Sequence, residues 1–93
     1  TLAAPNPPTI IDAVFNGMRI DLSWSAEPKA IKYIINKSSK LGNHRIETLG
    51  TSFGDSDLQN GVEYEYSIIS VDQYGLESAP SKTATVKTEI TIN

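Results

Sequence analysis

The chain has 93 residues, with eight lysines and arginines against eleven aspartates and glutamates, one histidine and no cysteine. A net charge of −3 argues against a free-standing nucleic-acid binder, which is usually basic overall. The missing cysteines remove disulfides and thiolate metal sites, and no apolar run approaches the roughly 20 residues that a helical membrane span needs.

Thr1 to Pro8 (T-L-A-A-P-N-P-P) carries three prolines and predicts an extended, semi-rigid linker arriving from another domain. Residues 9–89 are then read as one domain and 90–93 as a C-terminal linker. Ile11, Ala13 and Phe15 alternate with Asp12, Val14 and Asn16 to give a first strand. Asn16-Gly17 offers a tight turn, and Ile20, Leu22 and Trp24 alternate with Arg19, Asp21 and Ser23 in the second strand of a hairpin. Beyond Ala26-Glu27-Pro28, Ile31, Tyr33 and Ile35 stand opposite Lys32, Ile34 and Asn36. A polar turn over Ser38–Asn43 leads to a short strand over His44–Leu49 and a shorter one over Thr51–Phe53.

The most informative stretch runs from Leu58 to Ser78. A turn at Gln59-Asn60-Gly61 precedes Tyr64, Tyr66, Ile68 and Ser70, which alternate with Glu63, Glu65, Ser67 and Ile69. Such period-two alternation predicts a strand over Val62–Asp72 with one dry and one wet face. Ala84, Val86 and Thr88 against Thr83, Thr85 and Lys87 make the last strand. No segment sustains a 3.6-residue period, so the chain reads as an all-β antiparallel sandwich of seven strands. Leu22, Trp24, Tyr33, Tyr64, Tyr66 and Ile68 are its expected core.

Several motifs occur in a fixed order: prolines before the first strand, L-S-W ending the second and Y-I-I in the third. L-x-x-G-x-x-Y-x-Y-x-I follows over Leu58–Ile68, and D-x-x-G-x-E-S-x-P-S over Asp72–Ser81. From about Pro8 to Thr88 the chain resembles the fibronectin type III module, in the form found in bacterial and phage multidomain proteins. Asn60 stands where that family commonly has proline, but Asn-Gly makes the same turn. The resemblance implies a Greek-key sandwich of the immunoglobulin-like kind. It also implies a tyrosine corner at Tyr64, with its hydroxyl reaching backbone near Leu58, and a backbone-binding aspartate within Asp55-Ser56-Asp57. Tyr74 falls in the loop that adhesion modules of this family use for recognition, although no R-G-D is present.

Reactive chemistry finds little support. His44 is the lone histidine and lies among polar neighbours, with no cysteine to activate and too few ligands for zinc. Asp55 and Asp57 lack the remaining ligands of a calcium loop. Glu63 and Glu65 share a solvated face where nothing raises one pKa above the other. No cofactor or metal is expected. Candidate partner contacts are Tyr74, an apolar patch of Ile34 and Ile69 extended by Val71 on the outer face, and the lysine-rich stretch containing Lys29, Lys32, Lys37, Lys40 and Arg45. Lys32 is expected beside Glu63 or Glu65. Asn36-Lys37-Ser38 is a formal glycosylation sequon, which matters only in a eukaryotic secretory pathway.

Seven strands put the two termini at opposite ends of a sandwich. The expected function is therefore that of a non-catalytic, monomeric spacer in a secreted or cell-surface bacterial protein, one that acts on carbohydrates or sits at the surface. Its partners are the neighbouring domains of the same polypeptide. A protein- or glycan-binding adhesion module, or a structural domain of a phage virion, is the alternative.

Overall fold

Seven strands form within residues 4–88, the part of the chain that the computed structural model describes. They are β1 (Ile10–Phe15), β2 (Ile20–Trp24), β3 (Lys32–Ser39), β4 (Gly42–Thr48), β5 (Ser52–Asp55), β6 (Glu63–Val71) and β7 (Ala84–Lys87). A three-stranded sheet in the order β1-β2-β5 packs on a four-stranded sheet in the order β4-β3-β6-β7, and every pairing is antiparallel. The expected all-β sandwich is therefore present. Thr1–Ala3, part of the expected entry linker, and Glu89–Asn93, which contains the whole expected C-terminal linker, lie outside the described residues.

Alternation sets which side chains meet between the sheets. Ile20, Leu22 and Trp24 face Tyr33, Ile35, Tyr64, Tyr66 and Ile68 in one buried cluster, with Val62 beneath. Trp24 and Tyr33 meet edge to face at 5.8 Å between ring centroids, a geometry that aromatic quadrupoles favour. Register slips between Ile10 and Asp12, so Ile10, Ala13 and Phe15 all lie against this core. The alternation read from Ile31 starts one residue late: Ile31 precedes β3 and is largely exposed, although its N–H is bonded to the carbonyl of Val71 at the sheet's end.

The segment after β6 explains the E-S-x-P-S motif. Pro80 has no N–H to give a ladder, and the hydroxyls of Ser78 and Ser81 accept from the N–H groups of Ser70 and Ile68, each at 2.9 Å. The chain thus stays on the edge of β6 until β7 pairs in the regular way.

Antiparallel order gathers the connections at two ends. The chain enters at the same end as the β2–β3, β4–β5 and β6–β7 loops. The β1–β2, β3–β4 and β5–β6 turns lie at the other, where β7 leaves.

Trp24 is buried in this core, so Trp24→Ala should cost about 3–5 kcal/mol of stability. Urea denaturation reads this directly; a loss below about 1 kcal/mol would contradict the burial seen here.

Candidate functional site

β3 carries its inward parity one step further than the apolar pattern does. After Tyr33 and Ile35 comes Lys37, and its side chain enters the sandwich with only 5% of its surface exposed. Its ammonium lies 2.9 Å from the Asp55 Oδ2 atom, on β5 of the opposite sheet. It also donates to the Asp57 carbonyl and sits 5.0 Å from the centroid of the Tyr64 ring. Tyr66 donates its hydroxyl to the same Asp55 oxygen at 2.6 Å, and the Asp57 N–H donates to Asp55 Oδ1. Every strong donor and acceptor of this buried pair is met, which is the condition for tolerating charge there. Burial and the hydrogen bond to Asp55 hold the Tyr66 hydroxyl well above the ordinary tyrosine value.

This constellation went unseen in the sequence, where Lys37 was grouped with solvated lysines. The available signal was parity: positions 33, 35 and 37 share a face whatever their polarity. Asp55 does close an Asx turn as expected, and it is also the anionic half of an inter-sheet ion pair. The tyrosine corner is formed, with the Gln59 N–H donating to the Tyr64 hydroxyl at 2.7 Å.

The outer face of the four-stranded sheet corrects two expectations. Ile34 and Ile69 do face outward as cross-strand partners, yet they are only 4% and 7% exposed, and Val71 is buried with them. Long charged side chains occupy the same face. Arg45 on β4 pairs with Glu77, which bridges to Val71 at the end of β6, at 2.9 Å, so the two side chains meet over this face. Lys32 pairs with Glu47 at 3.1 Å. Arginine and lysine stems cover apolar surface while their heads stay wet. Lys32 does not meet Glu63 or Glu65: its register partner is Val71, at the far end of β6 from Glu65, which pairs with Ser38.

Tyr74 is 61% exposed at the tip of the β6–β7 connection. The tip is tightly held, since Asp72 Oδ1 accepts from the N–H groups of Tyr74 and Leu76, and the Asp72 carbonyl accepts from Gly75. Gly75 adopts φ +80°, which a side chain would strain. A crevice of about 260 Å³ lies at the same end, walled by Ala4, Pro5 and Asn6 on one side and Glu27, Pro28 and Lys29 on the other. His44 is solvent-exposed on the edge strand. Among the described residues, no group of three or more His, Cys, Asp or Glu side chains could hold a metal ion. No helix among them is long and apolar enough to cross a membrane.

The first and last described segments are both fixed to the body. Pro5 and Pro8 are buried, and Ser70 Oγ donates to the Asn6 carbonyl at 2.6 Å. Thr9 and Ser25 exchange two further bonds. At the other end Thr88 is buried, its hydroxyl bonded to the Gln59 and Val62 carbonyls and its backbone to Gly61 and Val62.

Two predictions follow from the buried pair. Lys37→Met strands the Asp55 charge and should cost about 3–5 kcal/mol. Adding Asp55→Asn, which keeps an acceptor for Tyr66, should recover about 1 kcal/mol or more; strictly additive losses in urea melts would show the two are uncoupled. Stability should also fall as pH rises above about 10. There the unfolded chain releases the Tyr66 proton and the folded chain keeps it. Tyr66→Phe should flatten that part of the pH profile.

No family model matches the chain. It is 38% identical over 84 residues to amylopullulanases of Thermoanaerobacter thermohydrosulfuricus and Thermoanaerobacterium saccharolyticum, matching 86% of this chain in each case. The chain spans only 6% and 7% of the length of those relatives. An Fn3-like protein from Clostridium thermocellum superposes with a TM-score of 0.76 at 27% identity, covering 98% of this chain and 99% of that one. With the strand order and the formed tyrosine corner, these likenesses identify the chain as a fibronectin type III module of the bacterial multidomain kind.

Proposed function

We propose that this module is a non-catalytic spacer in a secreted bacterial protein that acts on carbohydrates, where it sets the distance and orientation of the domains on either side. The observation that carries this reading is the pinning of the chain around Asn6 and at Thr88. A spacer transmits orientation only if the segments at its two ends cannot swivel on its body. Here the Ser70–Asn6 and Thr9–Ser25 bonds hold one end and the buried Thr88 holds the other. The nine-residue β6 spans about 30 Å between those ends. The likeness to a stretch of amylopullulanases supports a parent of that type.

Glycan binding is less well served. Sugar faces stack on exposed aromatic rings, and among the described residues Trp24, Tyr33, Tyr64 and Tyr66 are buried. Phe15 and Phe53 pack against the core, which leaves Tyr74 alone.

The test replaces the module in its parent with a glycine–serine segment of equal contour length. Small-angle scattering should show a broader spread of interdomain distances, because such a segment behaves as a random coil. Turnover of a short soluble oligosaccharide should stay unchanged. An unaltered scattering profile, or loss of that turnover, would refute the spacer reading.

A further inference from the structure

We infer that the end of the sandwich where the chain enters is a docking face for the domain that precedes it in the parent polypeptide. This rests on the spacer reading and specifies the upstream partner. Three of the six large apolar side chains left exposed in the described residues, Ile31, Leu49 and Tyr74, sit on the three loops of that end. Two of them are held in place. The Ile31 N–H is bonded to the Val71 carbonyl, and Tyr74 stands on the turn fixed by Asp72. A rigid apolar contact loses little entropy when it is covered. Beside them the crevice between Pro5 and Pro28 offers space for an inserted side chain.

Size decides the occupant. A free protein partner needs roughly 800 Å² on each side, about 20–30 residues. Three side chains and one crevice fall well short of that. A tethered partner has no such requirement, because a short link gives an effective concentration on the order of millimolar. A contact with an intrinsic dissociation constant near 1 mM would then be about half formed. The lead-in supplies that tether: with Pro5 and Pro8 buried and Asn6 bonded to Ser70, whatever is attached upstream is delivered over this end. A second copy of the module has no such advantage.

Hydrogen exchange on the intact parent tests this. Amides of Glu27, Lys29 and residues 73–75 should exchange about twofold more slowly in the parent than in the isolated module, the slowing that a half-formed contact gives. Ile31→Ser with Tyr74→Ser in the parent should restore the faster rates. Both side chains are exposed, so the melting temperature should hold and show that the variant folds. Equal rates in parent and isolated module would overturn the inference, as would protection that survives the double variant. Slow exchange in the isolated module that grows with its concentration would assign the face to a second copy and also overturn it. None of these outcomes depends on the scattering of the linker swap, so the two readings fail separately.

Discussion

The contact on which the two sheets agree their alignment is charged. Most of the sandwich core is aliphatic and aromatic surface, which is attractive without being directional. The Lys37–Asp55 pair differs because both charges have been withdrawn from water, and each tolerates that only at one relative position. Lys37 belongs to β3 and Asp55 to β5, so a slide of one sheet over the other would strand both. Tyr66 and the Asp57 backbone complete the coordination and tie the β5–β6 connection to the same point. Such a pair adds less to total stability than a well-packed aliphatic contact of equal volume could. We attribute its value here to alignment.

That alignment reaches both ends of the sandwich. The tyrosine corner and the Thr88 bonds both converge on the segment from Gln59 to Val62, just beyond the ion pair. At the opposite end, Ser70 is on the inward face of β6, two residues beyond Ile68, and fixes the Asn6 carbonyl. A continuous series of buried groups on one strand, Tyr64, Tyr66, Ile68 and Ser70, therefore spans from one pinned end to the other. β6 is the longest strand of the fold and lies centrally in its sheet. It can hold the two ends in a fixed relation.

Strand positions and the inner face were legible from the sequence because period-two alternation is a local signal. The hairpin at Asn16-Gly17 and the dry face of β6 follow from turn chemistry and spacing, and the corner at Tyr64 from the resemblance to the fibronectin type III module. What was not legible depends on neighbours distant in sequence. Lys37 reads as solvated until Asp55 is placed opposite it, 18 positions away and in the other sheet. Ile34 and Ile69 read as an exposed patch because alternation gives the face a residue occupies and says nothing of what lies over that face. On that face they cluster with Val71, and Arg45 pairs with Glu77, 32 positions along the chain.

That pairing also bears on the distribution of surface character. Exposed ion pairs such as Arg45–Glu77 and Lys32–Glu47 are worth about 0–1 kcal/mol each, too little to be retained for stability alone. Their placement matters more, because they set charged groups on the sheet face that holds Ile34, Ile69 and Val71. Charged residues on the edge strand β4 act in the same sense, since a bare edge invites pairing with other chains. Of the six large apolar side chains still exposed among the described residues, Val14 belongs to a strand; Met18 and Leu41 lie in turns at one end and Ile31, Leu49 and Tyr74 in loops at the other. A body with polar flanks and apolar ends favours contacts along its axis over contacts at its sides. For a module joined at both ends to other domains, that polarity separates the contacts its own chain provides from those that would lead to aggregation.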